Sequence, residues 1–267
     1  MTGSSDTPPP PHPLFASPEV LDRFKRNERV FRAHDRLAAL VNKVLDEEGT
    51  RMTVRGGRER LLSTFVGAAL GRTIRDFQAI ERLCLLDFAE QAMIVLRSAV
   101  NLLINVNYIT KDEHPVERVE QFLAYSYKEF SKFVSDGYGQ EVAWEPDWPP
   151  EVIERKATIW KDLRIRRRAE RLAKHHYDIG YRFYSAIEHS DVLALLERID
   201  WDADEGPFVG SGSDNKKIEV ALAHGYMVMA EILHIVCEYF GIARPDVFDE
   251  IRQITADVAA DRDRLGG

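Results

Sequence analysis

The sequence predicts an all-α protein: a single multi-helix domain of seven to nine helices behind a disordered, proline-rich N-terminal tail. Three observations carry this. Apolar residues recur at three- and four-residue steps through most of the chain, and helix-opening and helix-closing residues bracket those runs. No stretch alternates like a strand between turn pairs, and none repeats with a period of about 20 to 50 residues. At 267 residues the chain sits near the upper limit for one hydrophobic core, and 45% hydrophobic against 30% charged residues is a globular balance.

Residues 1–17 are rich in proline, serine and threonine and read as a tail without a core of its own. They have neither the basic start nor the apolar stretch of a secretory signal. The helical domain is expected over residues 18–267. Ser17-Pro18-Glu19 supplies an N-cap, a first-turn proline and an acid favoured by the helix dipole. The helix they open runs to Glu48-Gly49 and buries Val20, Phe24, Phe31, Leu37, Leu40, Val41 and Val44. A second helix spans about 58–84, with Leu61, Leu62, Phe65, Leu70, Ile74, Phe77 and Ile80 inward. Its Gly67 and Gly71 suggest close contact with another helix.

Asp87 and Glu90 have capping-box spacing and open a third helix that reaches about Thr110. Its apolar run, residues 92–109, carries Arg97, Asn101, Asn105 and Asn107, which makes a lipid-embedded helix expensive and favours a buried one. Pro115 opens a fourth helix to Ser135, followed by a loop through Trp144-Glu-Pro-Asp-Trp-Pro-Pro150. Helices at about 150–160 and 165–189 follow, the second broken near Asp178-Ile-Gly180. A short helix at 191–198 leads into a Gly- and Asp-rich loop over 202–214. Ser213 or Asp214 caps a helix to Tyr239, Gly241 stops it, and Pro245 starts the last.

A net charge of -8 opposes diffuse binding to nucleic acid or anionic lipid, so any such binding must be regional. Cys84 and Cys237 lie in apolar helical patterns without metal or redox spacing and read as reduced packing residues. With no secretory signal, this implies a cytoplasmic protein.

On the third helix, Glu90, Arg97, Asn101 and Asn105 form a narrow polar stripe on an apolar rod. An unpaired buried arginine costs several kcal/mol, so Arg97 meets partners from another helix in a structural network or faces a ligand pocket. Arg182 and His189 are seven apart, on one helix face about 10 Å along the axis, and could flank one phosphodiester. Ser185 lies on that side, four before His189. The histidine sits near a helix C-terminus, where the dipole favours imidazolium for acid catalysis or simply for capping.

Residues 155–176 hold nine basic and two acidic residues, a basic island in an acidic chain. Arg164, Arg168 and Arg171 recur at helical spacing and could bind phosphates, with Trp160 near for stacking; the alternative is a solvated face. Glu231 and His234 match half of a carboxylate-bridged di-metal site, flanked by His224 and Glu238, but a second pair is missing. His34-Asp35 has no earlier histidine within the folded part of the chain to supply the first ligand of a metal set. No serine elbow or glycine-rich phosphate loop occurs, and no metal or cofactor is expected.

Several fragments in order resemble a large family of bacterial helical proteins known mainly as a domain of unknown function. They are Ala-Ile-Glu-Arg-Leu at 79–83, Val-Leu-Arg-Ser-Ala-Val-Asn at 95–101 with Tyr108-Ile109, Glu-Gln-Phe-Leu at 120–123, and Tyr-Arg-Phe-Tyr-Ser-Ala-Ile-Glu-His at 181–189. The likeness covers about residues 58–240. It implies that the Arg97 stripe and the Ser185/His189 face meet in one cluster, with Asn101 standing where the family has glutamate. The Arg182/His189 spacing also resembles that of HEPN-type helical ribonucleases. That likeness implies metal-independent cleavage, with Arg182 holding phosphate, His189 acting as acid or base on a ribose 2′-hydroxyl attack, and two chains pairing their motifs. The expectation is therefore an RNA- or nucleotide-directed homodimer with ribonuclease activity of a stress or phage-defence type. The rival is a non-catalytic helical binding or scaffold module.

Overall fold

The computed structural model describes residues 17–133, 147–170, 174–181, 184–185, 199–202, 206–209 and 215–265. The expected tail over 1–16, the loop before Asp147, the helix at 191–198 and the caps at Ser213 and Asp214 lie outside them.

The all-α class holds. The described helices are α1 (Pro18–Arg26), α2 (Glu28–Glu48), α3 (Arg60–Leu85), α4 (Ala89–Thr110), α5 (Pro115–Phe133), α6 (Pro150–Asp162), α7 (Ile165–Glu170), α8 (Asn215–Phe240) and α9 (Pro245–Leu265). A π-helical turn over His176–Tyr181 follows α7. The structure also contains a hairpin that the sequence reading does not foresee: β1 (Ile199–Asp202) pairs antiparallel with β2 (Gly206–Val209), Ile199 opposite Val209. Ile199-Asp-Trp-Asp202 does alternate apolar and acidic residues, but over two periods only, and the second strand, Gly-Pro-Phe-Val, has no such alternation and falls in the Gly- and Asp-rich stretch read as loop.

The long first helix is in fact two. Ser17 accepts from the Val20 amide and Pro18 sits in the first turn, as the sequence dictates, but the chain breaks at Asn27. There the Asn27 side chain donates to the Arg23 carbonyl and to Asn215 at the start of α8, replacing helical bonds with a tertiary one.

Asp87 is not the N-cap of α4. It closes α3 instead: the Phe88 amide bonds the Leu83 carbonyl at 2.8 Å, the Asp87 amide bonds Cys84, and Asp87 takes a left-handed φ of 72°. Its carboxylate pairs with Arg23 at 3.2 Å, and the N-cap of α4 is Phe88, with no side-chain bond. Gly241 ends α8 with the same bond pattern, Ile242 to Cys237 and Gly241 to Glu238, at a φ of 69°.

The core is organised around α8, which packs on α2, α3 and α4. Two ion pairs bridge α4 and α8, Glu90 to Lys217 at one end and Lys111 to Glu238 at the other, so the two helices run side by side in the same direction. Leu96, Val100, Leu103 and Ile104 of α4 and Leu222, Met229, Ile232 and Leu233 of α8 are fully buried. Both helices are long and apolar enough to cross a membrane by length and composition, and 56% and 67% of their apolar windows lie inside the fold. Cys84 and Cys237 are free and buried, and burial pushes their thiols up to about 12 and about 11.

Gly67 and Gly71 do not mark a close helix contact. A Cβ at either position meets nothing within 4 Å, whereas at Gly225 it would touch Ile80 and His34 at 3.5 and 3.6 Å. Gly67→Ala and Gly71→Ala should therefore each raise stability by about 0.5–1 kcal/mol through helix propensity. Gly241→Ala should lower it by about 1–2 kcal/mol through its left-handed backbone. Urea denaturation of the three variants checks both signs.

Candidate functional site

The polar stripe of α4 meets α7 and the π-helical turn. Arg97 donates through Nη2 to the Tyr181 hydroxyl at 3.3 Å and lies 5.0 Å over that ring, which stacks in turn on Tyr177. About two turns along α4, Asn105 donates to Asn101 at 3.4 Å and accepts from Nη1 of Arg168. Arg168 comes from the basic island, but it is turned inward, 4.6 Å over Trp160. Burial draws its guanidinium down to about 10, and its Nε has no hydrogen-bond partner among the described residues.

Trp160 is 2% exposed, wedged edge-on against Phe122 and Tyr108, so it cannot stack on a base as its place in the island suggested. Arg168, expected beside Arg164 in a phosphate-binding island, instead joins the Arg97 and Asn101 stripe through Asn105, while Arg164 remains on the surface. Ser185 is half-buried beside Tyr184. Arg171, Arg182 and His189 lie outside the described residues.

A second arm of polar groups links the π-helical turn to α8. The Tyr184 hydroxyl is 2.7 Å from Nδ1 of His224, Nε2 of His224 is 2.9 Å from Nδ1 of His176, and Nε2 of His176 is 2.8 Å from the Glu231 carboxylate. Tyr184, His176 and His224 are buried; the Glu231 side chain is 43% exposed, so the chain runs from the interior to solvent. Burial, then the neighbouring His176 and His175, lowers His224 to about 3.

This chain accounts for the Glu231 and His224 of the α8 stripe without a metal. His234 is exposed against the Phe248 ring and Glu238 is held by Lys111. No group of three His, Cys, Asp or Glu side chains among the described residues is arranged to hold a metal ion. His176 and Tyr184 escaped the sequence reading because their partners lie 48 and 40 residues away on a helix that they reach only after folding. His34 is likewise a core residue, its Nε2 donating to the Leu222 carbonyl at 2.6 Å and its ring stacked on Phe77.

Outside this interior, the junction of α6 and α7 forms a hollow of about 630 Å³ lined by Lys161, Asp162, Arg164, Arg166, Arg167 and Glu170. All six are exposed. Arg166 faces Glu170 at 3.6 Å; Lys161, Arg164 and Arg167 make no ion pair among the described residues.

Residues 64–207 match the model of DUF5677, a family of unknown function, over more than half of the chain. The chain belongs to this family. The match takes in Arg97, Arg168, Tyr181 and Tyr184, whereas His224 and Glu231 lie beyond it, so the second arm joins family residues to the α8 that follows. No curated protein and no solved structure matches the chain.

Inner and outer arginines should separate cleanly in stability. Arg168→Ala strips Asn105 of its donor and bares Trp160, and should cost about 1–3 kcal/mol. Arg164→Ala on the surface should change stability by less than about 0.5 kcal/mol. Paired urea titrations measure the difference.

Proposed function

We propose that this DUF5677 protein is RNA- or nucleotide-directed and holds phosphates in the α6–α7 hollow. One observation carries the reading: in a chain of net charge -8, Lys161, Arg164 and Arg167 stand exposed around one concavity with no carboxylate paired to them among the described residues. Unneutralised guanidinium and ammonium groups converging on a hollow attract phosphate oxygens, and the acidic remainder of the surface confines that attraction to one place. The stacking partner expected in Trp160 is buried, so contact is to phosphate rather than to base faces.

The catalytic part of the proposal assigns phosphate orientation to Arg182 and proton transfer to His189 beside Ser185, without metal, in a cytoplasmic homodimer. It rests on the spacing of those residues and on their HEPN resemblance. The rival reading, a non-catalytic helical module, is favoured by the inward Arg168, which serves Asn105 and Trp160 rather than a ligand.

Fluorescence anisotropy with a labelled single-stranded RNA, read across salt concentration, decides the binding claim. Arg164→Glu with Arg167→Glu should weaken binding by tenfold or more and lower the slope of log affinity against log salt by about 1.4. No RNA or nucleotide binding by the parent at low salt would refute the reading. Cleavage of the same RNA in chelator, lost in His189→Ala, is the expected result for the catalytic step; intact RNA with the parent removes catalysis and leaves the binding module.

A further inference from the structure

The side chains around the α6–α7 hollow carry both signs of charge. Lys161, Arg164 and Arg167 explain an attraction for phosphate, but a carboxylate in the same concavity repels an anion. Of the two carboxylates there, Glu170 is accounted for, because Arg166 faces it at 3.6 Å. Asp162 is not. It makes no ion pair and no hydrogen bond among the described residues, although three unpaired cations line the same hollow.

The fold makes no use of this carboxylate either. Asp162 is the last residue of α6, where the helix dipole disfavours negative charge and favours the Lys161 beside it. It is exposed, so it satisfies no buried donor. A carboxylate without a structural partner, at the unfavourable end of a helix and inside a concavity, is an acceptor left open for a ligand.

An ionised carboxylate accepts hydrogen bonds and donates none, so its partner on the ligand carries an O–H or N–H. The ligand also carries phosphate, a premise taken from the proposed function of this hollow, on which the inference rests. Beside each phosphate of an RNA strand lies a ribose 2′-hydroxyl, whatever the base, and DNA has none. Base N–H groups lie farther from the phosphate and change with sequence, and no aromatic side chain lines the hollow to hold a base. At about 630 Å³ the hollow has the size of a small-ligand site, enough for a sugar and its phosphates.

We infer that Asp162 reads the sugar: its carboxylate accepts from a ribose 2′-hydroxyl while Lys161, Arg164 and Arg167 hold the adjoining phosphates, so the hollow takes ribonucleotides in preference to their deoxy counterparts. Phosphate contact supplies the affinity and sugar contact the choice. The choice has two sources. A ribose gains a charge-assisted hydrogen bond, whereas a deoxyribose leaves the carboxylate facing phosphate with nothing to offset the repulsion. A free ribonucleotide and an RNA strand present the same pair of groups.

Fluorescence anisotropy on the full chain at low salt, with labelled RNA, DNA and 2′-O-methyl RNA of one sequence, tests the assignment. Competition by adenosine monophosphate and its 2′-deoxy form separates the sources: a ribose preference between the mononucleotides supports the inference for a free nucleotide, and one between the strands alone supports it for RNA. The parent should bind RNA about tenfold more tightly than DNA or 2′-O-methyl RNA, the effect of one hydrogen bond to a charged group. Asp162→Ala should erase that ratio by weakening RNA and strengthening DNA, with no loss of thermal stability, and Asp162→Asn, an uncharged acceptor, should fall between. Arg164→Glu with Arg167→Glu should weaken every strand and keep the ratio. Equal binding of RNA and DNA by the parent, a ratio that survives Asp162→Ala, or a preference that shifts among bases rather than sugars overturns the role of Asp162 and leaves phosphate binding standing. A parent that binds no strand and no nucleotide ends both.

Discussion

The parallel contact between α4 and α8 decides where the polar chemistry of this fold can lie. Two ion pairs fix its ends and branched apolar side chains fill its length, so neither helix can slide or rotate without opening the core. Polar residues on the flanks of the pair are thereby held at set heights: Arg97, Asn101 and Asn105 on α4, His224 and Glu231 on α8. The π-helical turn and α7 lie against them, and each polar group finds its partner there rather than in water. The ion pairs are partly exposed and contribute little energy by themselves; their value is to fix register.

Burial then sorts residues of the same type into different roles. Arg164 and Arg168 are one turn apart in sequence, yet one is solvated and the other loses enough hydration for its pKa to fall to about 10. The inner guanidinium is tolerated because an amide oxygen and an indole face replace water, a stack and fork that lysine could not supply. Among the histidines the division is similar: His34 and His224 are held neutral in the core, while His175 remains exposed.

Backbone irregularities cluster where these side chains need precise aim. The break at Asn27 ties α2 to the start of α8, and the left-handed Asp87 turns the chain sharply so that α4 starts beside Arg23. The π-helical turn between α7 and Tyr184 sets His176, Tyr181 and Tyr184 toward different partners on two helices. Asp87 shows how one local pattern can serve two ends. Its spacing to Glu90 fits an N-cap, but the left-handed turn closing α3 claims the residue first, and Glu90 is left free to hold Lys217.

Much of this protein is settled by the chain itself. Helical periodicity fixes the all-α class and nearly every inward residue named for α1 to α3, because apolar burial is a face-by-face property that local spacing displays. Ser17, Pro18, Gly241 and Pro245 set helix limits through bonds made within a few residues, and these too are legible. Which glycines touch a neighbour, which of two arginines faces inward, and which histidine meets which tyrosine are not local properties. They depend on side chains 40 or more residues apart meeting across helices, and only the packed arrangement of α2, α3, α4, α7, α8 and the π-helical turn decides them.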